Sequence, residues 1–330
     1  MTKPLLEVNN LQVDFLIREY RMTAIHNVSF SLNEGTTLGI VGESGCGKTV
    51  TATAIMRLLP KTTSDISSGT VKLYGDDLLK KTEKEMCGIR GNKISMIFQD
   101  PLTSLNPVYT VGNQLIEMLK VHTDLSKKDA FNKSAQMLQK VAIPSPAKCM
   151  NNFPHQLSGG MRQRVMIAMA MLCDPVLLIA DEPTTALDVT IQAQILELMN
   201  KLKEDFNMAI LMITHDMGVI AGMADNVMVM YAGEVVEYGS ALSIFDAPRH
   251  PYTQGLLKSI PRVDKDIKKL YTIEGLVPSL NNMPVGCRFA DRCDRSMAVC
   301  KIKSPALVDV DGSKVRCLDV KRDKGNAVNE

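Results

Sequence analysis

Residues 42–49 have the residue types and spacing of a phosphate-binding loop. They read GESGCGKT, fit the pattern G-x-x-x-x-G-K-[ST], and stand between an apolar stretch and a helical pattern. The glycines would let backbone N–H groups approach phosphate oxygens, and the following helix N-terminus adds a favourable dipole. Lys48 would supply a positive charge, and Thr49 a hydroxyl ligand for Mg²⁺. A glycine-rich turn that merely resembles such a loop is the alternative.

A second chemical signal lies at residues 176–182, where the apolar run VLLIA ends in two adjacent acids. Asp181 is suited to hold Mg²⁺ or its water shell, and Glu182 to orient and polarise a water that attacks a γ-phosphate. Alone, such a run would more often be an ordinary end of a strand. Together with the phosphate loop, it predicts nucleotide hydrolysis.

Residues 157–161 read LSGGM and stand just before a helical pattern. This segment matches the LSGGQ signature of ABC ATPases, with methionine in place of the usual glutamine. Three further segments match motifs of the same family in chain order: IFQDP around Gln99, ALD at residues 186–188, and ITHD around His215. On these six motifs, the sequence resembles the ATP-binding subunits of ABC transporters.

The resemblance implies roles for the matched residues. Gln99 would touch Mg²⁺ and water while its loop senses a membrane subunit, and His215 would contact the γ-phosphate. From the residues alone, a surface glutamine and a buried core histidine remain the alternatives. The signature would close over ATP held by a second subunit, so the chain would have to dimerise. The implied ATP-binding residues are Phe15, Gly42, Glu43, Ser44, Gly45, Cys46, Gly47, Lys48, Thr49, Ser158, Gly159 and Gly160. The implied Mg²⁺ ligands are Thr49, Gln99 and Asp181, and the implied catalytic residues are Glu182, His215 and Gln99.

Phe15 is the best-placed aromatic residue to stack on the adenine base, with Tyr20 as the second choice. In the ABC family an aromatic residue near the N-terminus usually has this role. Burial of either ring in a sheet is an equal alternative.

Strand and helix patterns alternate along the chain and place these residues at the ends of strands. The predicted strands are residues 37–41, 93–98, 176–180 and 209–213, and the predicted helices are 48–59, 162–172 and 189–204. This alternation predicts an α/β fold with a mainly parallel sheet, which the resemblance specifies as the P-loop NTPase fold of ABC type. The expected domains are an ATPase domain at 1–239 with a helical insertion at 103–172, a C-terminal domain at 240–320, and a disordered tail at 321–330.

Composition limits the other classes of function. The 330 residues include 38 Lys and Arg against 36 Asp and Glu, so a net charge of +2 provides no general field for nucleic acid. No signal peptide is expected, and the apolar runs are shorter than the roughly 18 residues needed to cross a membrane. Eight cysteines without an export signal argue against a disulfide framework.

Two further segments restrict the resemblance to one group within the ABC family. Residues 249–257 read RHPYTQGLL, Ile260 and Pro261 follow, and residues 99–107 read QDPLTSLNP. These segments are similar to the ATPase subunits of dipeptide and oligopeptide importers. That similarity implies two membrane permeases, an extracytoplasmic binding protein, a second homologous ATPase and a place on the cytoplasmic face of the cell membrane. Uptake of nickel or another small solute, and a non-transport ABC ATPase, are the alternatives.

Four cysteines, Cys287, Cys293, Cys300 and Cys317, lie within about thirty residues of one another beside several arginines. Nearby arginines would favour thiolates, the ligand form of cysteine. The spacing lacks the short C-x2-4-C pairs of structural zinc, and related peptide-importer ATPases can carry an iron–sulfur cluster here. We therefore expect a [4Fe–4S] cluster ahead of zinc or four free thiols. The cysteines of the ATPase part are expected to be small buried residues.

Overall fold

The computed structural model describes residues 3–17, 20–100, 104–185, 187–260 and 271–320, and the structural statements below concern these residues. The strands are β1 Leu6–Ile17, β2 Tyr20–Leu32, β3 Thr37–Val41, β4 Ser64–Leu73, β5 Asp76–Asp77, β6 Ile94–Ile97, β7 Leu177–Asp181, β8 Ala209–Thr214, β9 Asn226–Tyr231, β10 Glu234–Ser240, β11 Val308–Val310 and β12 Ser313–Val315. The α-helices are α1 Lys48–Ile55, α2 Glu83–Ile89, α3 Val111–His122, α4 Lys127–Lys140, α5 Pro146–Cys149, α6 Gly159–Met171, α7 Val189–Phe206, α8 Met217–Met223, α9 Ala241–Asp246 and α10 Pro251–Lys258.

The chain divides into two units. The first unit takes its residues from Met1–Leu32, Thr37–Leu79 and Ile213–Glu330, and the second from Asn33–Thr36 and Lys80–Met212. The predicted tail at 321–330, and residues 101–103, Ala186 and Pro261 of the matched motifs, lie outside the described residues.

The first unit contains two groups of strands. One is an antiparallel sheet in the order β2-β1-β4-β5, and the other runs β11-β12-β10-β9-β3. In the second group, β3 is parallel to β9, and all five residues of β3 are buried. Because β3 is covered on both faces, its sequence after Thr37 is continuously apolar rather than alternating.

In the second unit, β6 lies parallel to β7, with Ile94 opposite Leu177 and Ile97 opposite Ala180. Strand β8 follows next to β7. Among the described residues between β6 and β7, all regular structure is helical, and the long helices α3, α4 and α6 supply most of it. This stretch positions the signature segment at the start of α6.

The predicted parallel α/β fold is confirmed, and the strand predictions are correct to within one or two residues. The helix boundaries differ more. Helix α1 ends at Ile55 rather than at residue 59, because Arg57 adopts a left-handed φ of +52°. Helix α6 begins at Gly159, three residues before the predicted start, because the Ser158 side chain caps it by accepting the Met161 N–H.

Candidate functional site

The phosphate loop follows β3 directly and leads into α1, as the sequence pattern predicts. Gly42, Gly45 and Gly47 have φ values of +154°, +78° and +105°, in the region that favours glycine. At Gly42, an added Cβ would lie only 2.2 Å from the carbonyl oxygen of Met230 on β9. Glycine at this position therefore lets the loop pass close to the neighbouring strand.

The ammonium group of Lys48 lies inside the loop. Its Nζ donates to the carbonyl oxygens of Gly42 at 2.7 Å and Glu43 at 3.1 Å, and the residue is only 6% exposed. A buried ammonium needs such acceptors, because removing a cation from water is costly. The loop thus holds its positive charge next to the backbone that is expected to meet phosphate.

Cys46 fills the interior of the loop as a small apolar residue. It is buried, burial raises the pKa of its thiol, and its carbonyl accepts the N–H of Gly233. Cys149 is also buried, which confirms the expectation for these two cysteines. Cys87 is exposed, so that expectation is wrong for it: it lies on the short helix α2, where only Met86 faces the interior.

Two residues that the sequence analysis missed hold Glu43. Both carboxylate oxygens of Glu43 pair with Arg292, at 2.5 Å and 3.0 Å, and its backbone N–H donates to the hydroxyl oxygen of Tyr252 at 2.8 Å. The hydrogen bond to Glu43 raises the pKa of Arg292, and burial raises that of Tyr252, so the two side chains stay cationic and neutral respectively. The sequence signal that could have pointed to Tyr252 was the RHPYTQGLL segment, which we used only as evidence of family resemblance.

His215, also in the first unit, follows the last residue of β8 and is exposed. The alternative of a buried core histidine is therefore excluded. The next residue, Asp216, caps α8 by accepting the N–H of Gly218 at 2.7 Å, and its own N–H donates to Thr214 Oγ1. These bonds fix the turn that presents the imidazole.

In the second unit, Asp181 ends β7 and is buried, while Glu182 follows with a left-handed φ of +48°. A non-glycine residue in this conformation is strained, and such strain is concentrated at functional sites. Oε2 of Glu182 accepts Nε2 of Gln99 at 3.2 Å and Oγ1 of Thr185 at 2.9 Å. The structure thus joins the two predicted catalytic residues of this unit and adds Thr185, which orients the carboxylate.

In the signature segment at the N-terminus of α6, Ser158 and Gly159 are exposed, whereas Leu157 is buried. Ser158 Oγ accepts the Met161 N–H at 3.3 Å, so its own proton can still be donated. A Cβ on Gly160 would lie 3.0 Å from Ile191 at the start of α7. Of residues 186–188, Leu187 and Asp188 are described, and Asp188 caps α7 by accepting the Ile191 N–H.

The two adenine candidates lie on the antiparallel sheet of the first unit. Phe15 is half-buried on β1 opposite Met22, whereas Tyr20 is exposed at the start of β2. Neither ring is therefore fully buried in the sheet.

The four C-terminal cysteines lie around one small cavity, together with His250. Burial raises the pKa of Cys287 to about 11 and also raises the pKa values of Cys293 and Cys317. Arg295 acts in the opposite direction on Cys293, but it is outweighed. The thiol form is thus favoured over the thiolate.

Comparison with known proteins gives matches over nearly the whole chain. Residues 25–185 match the family model described as ABC transporter, and residues 236–300 match that of the oligopeptide/dipeptide transporter C-terminal region. The oligopeptide transport ATP-binding protein AppD of Bacillus subtilis is 51% identical, over 95% of this chain and 96% of its own. OppD of Salmonella typhimurium, with the same description, is 52% identical, over 91% and 89%. A dimeric structure of the ATP-binding cassette MJ0796, in a post-hydrolysis state with ADP and Pi, is 26% identical with a TM-score of 0.64, over 72% and 98%.

The expected iron–sulfur cluster is wrong. Although the four cysteines line one cavity, no three His, Cys, Asp or Glu side chains in the described parts of the chain form a group that could hold a metal ion. Cys287, Cys293, Cys300 and Cys317 therefore form neither a [4Fe–4S] site nor a zinc site. The arginines that suggested thiolates are outweighed by burial.

None of the helices within the described ranges combines the length and apolar character that crossing a membrane requires.

Proposed function

Because the chain belongs to the ABC transporter family of ATP-binding proteins, we propose that it hydrolyses MgATP to drive uptake of dipeptides or oligopeptides through separate permease subunits. The observation that carries this proposal is the match of the C-terminal region, residues 236–300, to the oligopeptide/dipeptide transporter family. The identity of about half with AppD and OppD extends over both the ATPase part and this region.

The phosphate loop supplies the binding chemistry for ATP. Backbone N–H groups between Gly42 and Thr49 meet the phosphate oxygens, and Lys48 exchanges its carbonyl partners for phosphate. When bound, Mg²⁺ neutralises charge on the β- and γ-phosphates. The oxygens of Thr49, Gln99 and Asp181 suit it, because Mg²⁺ prefers hard oxygen ligands, keeps several waters and needs only one or two carboxylates.

Hydrolysis is assigned to Glu182, Gln99 and His215. Glu182 holds the attacking water and accepts a proton from it, while the hydrogen bonds from Gln99 and Thr185 fix its carboxylate oxygen. His215 donates to the γ-phosphate and stabilises the charge of the transition state. Phe15 stacks on adenine, with Tyr20 as the alternative.

Turnover requires two ATPase subunits. Ser158, Gly159 and Gly160 of one subunit face the nucleotide of the other, and the exposure of Ser158 and Gly159, together with the dimeric MJ0796 cassette, supports this arrangement. We assign a homologous second ATPase as the partner, so that the dimer is a heterodimer. Two permeases and an extracytoplasmic binding protein complete the assembly, which places the chain peripherally on the cytoplasmic face of the membrane. The domains remain as proposed from the sequence, at 1–239, 103–172 and 240–320.

The proposal is tested by reconstituting the chain with its second ATPase, permeases and binding protein in proteoliposomes. A mixed set of dipeptides and oligopeptides should stimulate ATP hydrolysis and accumulate in the lumen, and the Lys48→Ala chain should support neither. Stimulation by Ni²⁺ or another small solute without any response to peptides would replace the peptide assignment. Hydrolysis that no solute and no permease affects would favour a non-transport ATPase.

A further inference from the structure

Glu43, the second residue of the phosphate loop, is held at both its polar ends by residues of the C-terminal part of the chain. Its carboxylate takes two hydrogen bonds from Arg292, and its N–H donates to Tyr252. Arg292 is 249 positions away in sequence and Tyr252 is 209. Side chains far away in sequence therefore help to fix the first residues of the loop, in addition to the bonds that Lys48 makes within the motif.

Arg292 is itself fixed on several sides. Its side chain is only 6% exposed, and it donates to the backbone carbonyls of Glu274 and Ile273 at 2.9 Å and 3.2 Å. Its guanidinium carbon lies 5.7 Å from the ring centre of Tyr231. The Glu43 side chain is 30% exposed, so the pair is only partly shielded from water. Its two parallel hydrogen bonds nevertheless give it geometric specificity.

Tyr252 is equally rigid. It is completely buried, and its ring packs against the rings of Tyr231 at 4.8 Å and Phe289 at 5.4 Å between centres. These contacts leave the hydroxyl one position, at the N–H of Glu43. Arg292 and Tyr252 together form what we call the Glu43 clamp.

The clamp acts on the rest of the loop through the Glu43 carbonyl, which accepts the Lys48 ammonium. Cys46 anchors the far side of the loop, because it is buried and its carbonyl accepts the N–H of Gly233. Between Glu43 and Cys46, Ser44 and Gly45 are exposed, and an added Cβ on Gly45 would meet nothing within 4 Å. Without the clamp, the loop would sample conformations in which its N–H groups and Lys48 no longer converge. Preorganised binding groups raise affinity by avoiding that loss.

We propose that Arg292 and Tyr252 are positioning residues for ATP binding, through which the C-terminal part of the chain holds the phosphate loop in its binding conformation. This inference rests on the proposed ATP-binding role of the loop. It concerns the affinity for nucleotide phosphates, whereas the chemical step stays with other residues.

The test measures the dissociation constant of ATP for the full chain by titration, together with kcat and KM in the reconstituted transporter. If Arg292→Ala leaves the loop in its binding conformation between a tenth and a third of the time, the dissociation constant rises about three- to tenfold. KM should rise in parallel, with kcat at saturating ATP within about twofold of the wild type. Tyr252→Phe, which keeps the packed ring and removes only the acceptor, should shift affinity in the same direction.

Two controls separate positioning from general destabilisation. Arg295→Ala removes a nearby arginine that pairs instead with Gln254 and Asp319, and it should leave ATP affinity unchanged. Glu43→Gln keeps the size of the side chain and removes its charge, so adding Arg292→Ala to it should cause much less further loss than Arg292→Ala alone.

Wild-type affinity in folded Arg292→Ala and Tyr252→Phe chains would overturn the inference, and so would an equal loss in Arg295→Ala. If Arg292→Ala does not fold, the ATP affinities of two other sets of variants decide the question. One is Tyr252→Phe, and the other is the double-mutant cycle of Glu43→Gln, Arg292→Lys and the variant that carries both changes. Failure of the wild-type chain to bind ATP would instead overturn the proposed function. In that case, Lys48→Ala would also show no effect.

Discussion

At the residue scale, the phosphate loop combines contiguous residues with side chains that reach Glu43 from the C-terminal part of the chain. Residues 42–49 carry their chemistry within one loop, so the pattern alone predicted its place between a strand and a helix and the positive charge that Lys48 supplies. The partners of Glu43 lie more than two hundred positions away, and no local pattern connects them. The predicted iron–sulfur cluster was wrong for a related reason. The spacing of the cysteines in sequence gives neither the directions of their side chains nor the burial that keeps the thiols protonated.

Replacing Lys48 by alanine removes the only side-chain cation of the loop motif. We expect ATP affinity to fall and turnover to be abolished, because the remaining N–H groups lose the charge that the Gly42 and Glu43 carbonyls hold in place. Steady-state phosphate release and ATP titration measure this. Lys128→Ala, an exposed lysine in α4, is the matched control, and full activity in Lys48→Ala would refute the phosphate-loop assignment.

Glu182→Gln keeps the size and hydrogen bonding of the side chain and removes the charge that polarises water. We expect kcat to fall by about 10²- to 10⁴-fold, the usual contribution of general-base catalysis, with ATP retained in a closed dimer. Size-exclusion chromatography with bound-nucleotide analysis measures the trapped state. Glu197→Gln, an exposed glutamate in α7, serves as control, and wild-type hydrolysis by Glu182→Gln would place the base elsewhere.

At the element scale, strand positions followed from apolar runs, whereas helix limits depended on single capping residues. Ser158 starts α6, and Asn207, with φ of +47° and ψ of +37°, ends α7 two residues beyond its predicted end. The antiparallel sheet of β1, β2 and β4 was not specified from the sequence. Its strands pair with bulges between Val8 and Asp14, and these shifts break the regular alternation that would have marked them.

Helix α4 offers a clean test of capping. The Ser126 hydroxyl accepts the N–H of Asp129 at 3.2 Å at the start of this helix. Ser126→Ala should lower the free energy of unfolding by about 1 kcal/mol, because it leaves that donor without its side-chain partner. Denaturant unfolding measures the change, and Ser126→Asp, which retains a capping acceptor, should restore stability. Equal stability of Ser126→Ala and the wild type would exclude this cap as a stabilising contact.

At the scale of the whole molecule, a buried histidine links stability to pH. Burial lowers the pKa of His250 to about 3, and the charges of Arg295 and Arg316 act in the same direction. The neutral ring accepts the backbone N–H of Tyr252 through Nδ1. The carboxylate of Glu237 accepts the backbone N–H of His250. The unfolded chain takes up a proton near pH 6.5 and the folded chain does not, so stability falls as the pH drops below 6.5 toward 3.

Between pH 6.5 and 5, this effect amounts to about 2 kcal/mol of unfolding free energy, at about 1.4 kcal/mol per pH unit. His250→Asn keeps a capping acceptor for Tyr252 and removes the titrating ring, so its stability should fall less over the same range. Denaturant titrations of both chains at pH 7, 6 and 5 measure the difference. Identical pH profiles would show that His250 is not the group responsible.

The distance between Glu43 and Arg292 also bears on how the protein is made. Arg292 is the 249th residue that the ribosome adds after Glu43. At about 5–20 residues per second, this takes roughly 12–50 s. Once Thr49 has been added, and for the rest of that time, the nascent chain has its complete phosphate-loop motif but lacks the arginine that clamps it. The proposed support of the phosphate loop is therefore complete only after Arg292 has been made, and a chain terminated before that residue would carry the motif without its support.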